Sequence, residues 1–240
     1  MTHATPQKPH RMAYIVSQYP TLSMIFIIRE VLQLKRLGFE IDTISVNAPD
    51  RGKEGLVADE ANEADLTYYL KPDGIKGALK AHGHALTKHT AGYLRGWKQV
   101  FKLGGLDIKG LAMNTAYLTE AVMAGVYMKN KNQTHLHAHL GSQACTVAMY
   151  TKEVFDFTIS VTIHGPDEFY NAPGQYLTQK VVASDFIICI SHFARSQMMK
   201  LSPYEHWHKL EVSRLGVDPS IFAPKTFRPS PDVFEILCVG

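Results

Sequence analysis

The spacing of apolar and polar positions changes period several times along this chain. Met12 to Ser17 is a short apolar, β-prone run that breaks at Gln18-Tyr-Pro-Thr-Leu22. From Ser23, residues Ile27, Ile28, Val31, Leu34 and Leu37 recur three and four apart, which predicts an amphipathic helix. Gly38 stands where a helix wants a left-handed closing residue. Glu40 to Val46 then alternates as a strand, completing a β-α-β unit of about thirty residues, the building block of a parallel sheet. Asn47 to Glu63 is polar, carries Pro49, Gly52 and Gly55, and reads as a loop. Leu66 to Leu70 reads as a short strand. Ile75 to Tyr127 is helical in period and punctuated by Gly83, Gly92, Gly96, Gly104 and Gly110, which predicts two or three helices.

A strict alternation begins at His135. Strand His135–His139 leads to a helix over Ser142–Val154, and strand Thr158–Ile163 to a loop and a helix near Gly174–Ala183. Strand Phe186–Ile190 leads to a helix over Ser191–Met199, and Leu210–Leu215 is a further strand. Strands alternating with helices predict a doubly wound α/β domain over residues 12–215. Gly216 to Asp232 holds four prolines and no helical period, which is linker composition. Phe234 to Val239 reads as one more strand. Residues 216–240 are thus expected to be a linker and the first strand of a second domain.

Composition narrows the class. The chain has 240 residues, 45% of them hydrophobic and 20% charged, enough for a sizeable core. A net charge of +3 is too small to point to a nucleic-acid partner. Cys145, Cys189 and Cys238 form no Cys-x-x-Cys, and Cys189 and Cys238 sit in apolar runs. They read as small buried hydrophobes in a reducing compartment. No basic start with an apolar run behind it marks a secretory signal, and no apolar stretch has membrane-spanning length. A cytoplasmic location is expected.

Candidate chemistry gathers where strands end in polar turns, because open α/β sheets bind ligands at their carboxyl edge. The first such turn, Ser17 to Ser23, lacks Gly-x-Gly-x-x-Gly, so the dinucleotide fingerprint is absent. A helix beginning near Ser23 can offer free N–H groups to an anion, or Thr21 or Ser23 can simply cap it. His135, His137 and His139 alternate on one face of a strand, a costly arrangement unless paired. Gly141-Ser142 turns the chain just after His139, which favours that ring as the exposed one, lining a cleft. Hydrogen-bonded structural histidines, or a metal site using the His-x-His spacing, are the alternatives. His164 ends a strand and is turned at once by Gly165-Pro166 before Asp167; there it can bond a substrate hydroxyl or be satisfied by its own loop. Ser191 opens a helix with Arg195 one turn on, which suits either an anion site or a plain N-cap. Residues 75–119 carry six lysines and one arginine against Asp107, a local charge of +6 interleaved with Tyr93, Trp97 and Phe101. That composition suits anionic lipid, or a solvated helical face.

Several of these stretches resemble motifs of the bacterial family 4 glycosyltransferases, in particular the exopolysaccharide and colanic-acid subgroup. They are Ser17-Gln-Tyr-Pro-Thr-Leu-Ser-Met-Ile-Phe26 with Glu30, His137-Ala-His139-Leu-Gly141, Thr162-Ile-His164-Gly-Pro-Asp167, Ile190-Ser191 and Leu215-Gly-Val-Asp218-Pro-Ser-Ile-Phe222, in that order over residues 12–240. Met24 stands where many of those relatives carry threonine. The resemblance implies the Rossmann-like acceptor-side half of a two-domain GT-B enzyme, with a second, donor-binding domain beyond this chain and no transfer by the chain alone. It implies metal-independent, retaining transfer of a hexosyl group from a nucleotide sugar, with no further cofactor. The acceptor would be a glycan or lipid-linked glycan at the inner face of the plasma membrane, with residues 75–119 against the bilayer. His164 would sit beside the transferred sugar. Tyr19, Pro20, Thr21, Ser23, His139, Gly141, Asp167, Ser191 and Arg195 would line the substrate cleft. The competing expectation is a metal-dependent hydrolase built on His137, His139, His164 and Asp167, and a third is a sugar-binding module without catalysis.

Overall fold

A computed structural model describes residues 10–217 and the isolated positions 219, 236 and 238. Seven parallel strands form one sheet in the order β3-β2-β1-β4-β5-β6-β7. The elements run β1 (Arg11–Gln18), α1 (Ile25–Arg36), β2 (Glu40–Asn47), α2 (Ala58–Leu66), β3 (Tyr68–Tyr69), α3 (Leu70–Lys88), α4 (Thr90–Gly104) and α5 (Ile108–Asn130). Then come β4 (His135–His139), α6 (Gln143–Phe155), β5 (Thr158–Ile163), α7 (Leu177–Ala183), β6 (Phe186–Cys189), α8 (His192–Leu201) and β7 (Leu210–Val212). This is the α/β architecture expected from the alternating pattern, and it is Rossmann-like, as the resemblance implies.

Alternation along β1 sorts side chains to two cores. Ala13 and Ile15 join Leu136, Ala138, Val161 and the buried faces of α5 and α6. Tyr14 and Val16 point the other way and pack with Ile27, Ile28 and Val31 of α1. Both faces of the sheet are therefore covered, as parallel strands require. Gly38 closes α1 with φ of +91°, as its place in the sequence demanded.

The structure corrects several expectations. Residues 58–66, read as loop, form α2. Its inward face is Glu60, Glu63 and Ala64, so no apolar period betrays it. The two carboxylates are matched by Arg51 (2.5 Å to Glu60) and Lys35 (2.6 Å to Glu63). Leu66 and Leu70 belong to the helices on either side, which leaves β3 only two residues long. β7 stops at Val212 because its partner β6 stops at Cys189; the last bond is Ser213 N–H to the Cys189 carbonyl, 3.1 Å. The glycines of residues 75–127 are not all breaks. Gly92 and Gly96 lie inside α4, and a Cβ at Gly92 would overlap the Val154 carbonyl of α6, so this glycine lets two helices touch. Cys145 and Cys189 are buried as expected, whereas Cys238 is exposed. The linker and final strand expected over 216–240 lie, but for isolated positions, outside the described residues.

Candidate functional site

The strand order reverses between β1 and β4. At such a switch point, the loops leaving neighbouring strands diverge and open a crevice at their carboxyl ends. Here Ser17 of β1 and Ser142 after β4 face each other, their hydroxyls 3.4 Å apart. β5 lies beside β4 in a register that sets His135 against Thr158, His137 against Ser160 and His139 against Thr162. His164 follows β5 directly, so it stands on the same rim.

The three alternating histidines do share one face, the α1 side, and each is paired. His135 bonds Thr158 and Ser160 at 2.8 and 2.7 Å. His137 bonds Ser160 and Thr162 at 2.7 and 3.0 Å, with the Tyr14 ring 4.6 Å away. Burial and the neighbouring His139 push its pKa down to about 3, so it is neutral at pH 7. His139 is the correction. It is 0% exposed, because α1 covers it and the turn at Gly141 carries the chain over it rather than away. Its Nε2 lies 3.2 Å from Glu30 Oε1 on α1, and its Nδ1 lies 3.2 Å from His164 Nε2. Glu30 also accepts from the Tyr14 hydroxyl at 2.7 Å. Burial opposes its charge, but hydrogen bonds from His139 and Tyr14 outweigh that and hold its pKa down to about 2. His164 remains partly open, its ring 4.7 Å from that of Phe26. Burial and His139 lower its pKa to about 4.

Two residues absent from the sequence reading hold this rim in place. Glu168 is 7% exposed and accepts N–H bonds from Gly141, from His164 (2.6 Å) and from Gly165 (2.9 Å). One carboxylate thereby ties the loop after β4 to the loop after β5. Burial pushes its pKa up, while the three N–H groups and Lys180 pull against that. Lys180 of α7 is 1% exposed and donates to the carbonyls of Gly141 (2.7 Å) and Ser142 (2.9 Å). Its burial lowers its pKa to about 8. Between these charges, Leu140 is held at φ of +69°, a costly conformation for a residue with a Cβ. Both residues left a trace in the sequence. Glu168 lies three positions beyond Gly165, the spacing of a capping carboxylate. Lys180 interrupts the apolar face of Leu177 and Val181, where a lone cation needs partners.

The remaining candidates divide. Gly141 lies at the rim. Tyr19 does not offer its side chain to the cleft: it is 1% exposed, and its hydroxyl donates to Glu63 at 3.2 Å. Pro20 and Thr21 are buried, and Ser23 is exposed. Neither Thr21 nor Ser23 caps the first helix with its side chain. Asp50 instead accepts the Leu22 N–H at 2.9 Å, so the chain's own carboxylate takes the place offered to an anion there. Ser191 caps α8 by accepting from Ala194 N–H at 3.1 Å, and Arg195 Nε donates to the Leu210 carbonyl at 2.9 Å. Asp167 is exposed on its turn, and its neighbour Glu168 turns inward in its place. The metal set of His137, His139, His164 and Asp167 is therefore not brought together. Among the described residues, the ligand-type atoms that converge, within 4.8 Å of one another, belong to Glu30, His137 and His139. Hydroxyls, a carboxylate and an imidazole already occupy their hydrogen-bonding positions.

Comparison with known proteins adds one relative. No family model matches the chain. Over 236 residues, 96% of the chain, it is 22% identical to the protein named "Putative colanic acid biosynthesis glycosyltransferase WcaL" of Escherichia coli (strain K12). The chain spans 56% of that protein's length, and the aligned stretch takes in all seven strands and the rim they carry.

Proposed function

We propose that this chain is the acceptor-side half of a retaining, metal-independent glycosyltransferase of cell-surface polysaccharide synthesis. The complete enzyme would move a hexosyl group from a nucleotide sugar to a glycan or lipid-linked glycan. One observation carries this reading: a neutral imidazole, His164, stands at the switch-point rim with one ring nitrogen anchored on His139 and an aromatic face on Phe26. Such a ring suits a polyhydroxylated ligand, which it can meet with a hydrogen bond and an apolar surface. Similarity to the colanic-acid protein along the whole sheet supports the same assignment. In this reading His164 bonds a hydroxyl of the sugar or acceptor. Catalysis comes from positioning and from stabilising positive charge that develops at the transferred sugar.

The test uses the complete enzyme, supplied with nucleotide sugars and a glycan acceptor. His164→Ala is expected to lower turnover by about 10²-fold, with the melting temperature little changed. Full turnover in the variant would overturn the assignment. Sugar transfer by the 240-residue chain alone would overturn the two-half reading.

The basic helical region belongs to the same proposal. Ile75, Leu79, Leu94, Phe101, Leu106 and Ile108 are exposed across α3, α4, the turn after it and the start of α5, among the lysines noted above. Among the described residues, no helix is long and apolar enough to cross a membrane. Surface contact with anionic lipid is the mode this composition fits.

A further inference from the structure

The hydrogen bonds behind His164 form a single chain. Tyr14 O–H donates to Glu30 (2.7 Å), Glu30 Oε1 lies 3.2 Å from His139 Nε2, and His139 Nδ1 lies 3.2 Å from His164 Nε2. Tyr14 and His139 are buried, Glu30 is half-buried, and His164 is the member at the rim. A carboxylate has only acceptor positions, so the His139 nitrogen that faces Glu30 must carry a proton. For two neutral imidazoles the rest follows. His139 Nδ1 is bare and accepts, so His164 Nε2 carries the hydrogen, and His164 Nδ1 is left as a lone pair. Among the described residues none bonds that Nδ1.

We infer that Glu30 and His139 are positioning residues that hold His164 in a single tautomer, protonated on Nε2, so that Nδ1 presents an acceptor to a hydroxyl of the bound saccharide. The identity of that hydroxyl's owner rests on the proposed function; the tautomer does not. Each neighbour supports the assignment. Tyr14 and His139 keep Glu30 ionised, and burial keeps His164 neutral at pH 7. The Phe26 ring lies tilted against His164, with centroids 4.7 Å apart, and 6.3 Å from His139, an apolar neighbour to both imidazoles. A fixed acceptor selects a ligand donor and rejects a ligand group that can only accept, a discrimination that a freely flipping imidazole lacks.

The test has two arms. The first is long-range ¹H–¹⁵N correlation of the imidazoles in the 240-residue chain at pH 7, with His164 assigned by the resonances lost in His164→Gln. One protonated Nε2 and one bare Nδ1 are expected. Glu30→Leu should draw the two nitrogen shifts toward each other as the ring samples both tautomers. Glu30→Gln, whose carbonyl still accepts from His139, should restore the wild-type pattern. A protonated Nδ1, an imidazolium at either ring, or a pattern unmoved by Glu30→Leu would overturn the inference. If Glu30→Leu does not fold, the wild-type and Glu30→Gln spectra still decide it. The second arm is kinetic, in the complete enzyme. Glu30→Leu should lower kcat tenfold or more with KM nearly unchanged, and should cost nothing further in a His164→Ala background. Equal costs in both backgrounds would overturn the link between Glu30 and His164. The expected tautomer in a protein that transfers no sugar would count against the proposed function alone.

Discussion

Glu168→Ala removes the acceptor shared by the N–H groups of Gly141, His164 and Gly165. Hydrogen bonds to a charged group contribute roughly 1.5–3 kcal/mol each. Three would exceed what one side chain can cost, because water entering the space left by the carboxylate re-satisfies part of the set. The variant also removes a negative charge that favours the buried Lys180 ammonium, which itself bonds the Gly141 and Ser142 carbonyls. Two of the three N–H bonds lost outright amount to about 3–6 kcal/mol, and we expect Glu168→Ala to cost about 3–5 kcal/mol. For a domain of this size each kcal/mol lowers the melting temperature by about 2–4 °C, so the expected drop is roughly 6–20 °C by circular dichroism at pH 7. Amide exchange locates the effect: the three N–H groups should lose protection before the centre of the sheet does. Glu168→Gln separates charge from shape. Its amide can accept with one oxygen but turns an NH₂ toward a backbone donor, so a cost between wild type and alanine is expected. A melting temperature for Glu168→Ala within 2 °C of wild type, or unchanged protection at the three amides, would refute the shared-acceptor account.

Three further outcomes are expected. A Cβ at Gly141 would lie 2.9 Å from Ile163 Cδ1 and 3.0 Å from both Glu168 Oε1 and Leu177 Cδ2. Gly141→Ala should therefore cost about 1–3 kcal/mol of overpacking in denaturant titration; a neutral effect would mean the rim is looser than described. Stability should fall on acidification. His137 and His164 stay neutral in the fold down to about pH 3 and 4, whereas unfolded histidine takes a proton near 6.5. Stability is then complete above pH 6.5 and declines below it, by an amount on the order of a few kcal/mol by pH 4. Glu30, ionised in the fold down to about pH 2, adds to the loss below 4.5. A flat melting profile between pH 7 and 4 would contradict this. Vesicles of phosphatidylglycerol should sediment the chain at low salt, and a triple exchange of Lys76, Lys80 and Lys102 to glutamate should release it; equal retention of both proteins would count against lipid contact.

The sheet could be read from the sequence because its strands are buried on both faces and bounded by polar turns. β4 and β5 fall where their apolar and alternating runs placed them, and Gly38 marked the end of α1. α2 escaped because its inward residues are glutamates. Their partners Arg51 and Lys35 lie 9 and 28 positions away, outside the helix, so the helix's own period does not show the match. The candidate site divides on the same line. His164 was legible from its place at a strand end. The burial of His139 was not, since it depends on Glu30 and Phe26, both on a helix more than a hundred residues earlier. Glu168 and Lys180 left only the faint traces noted above, because their targets are backbone atoms.

The imidazoles of β4 and the hydroxyls of β5 alternate like the teeth of a zip: His135, Ser160, His137, Thr162. Side chains here repeat the alignment that the main-chain ladder already specifies. A slip of one residue would turn every ring toward the greasy face and strand every hydroxyl without its mate, whereas a slip between two apolar strands exchanges one oily contact for another. The central pair is thus keyed twice, and the place where His164 emerges is set by chemistry well below the surface it serves.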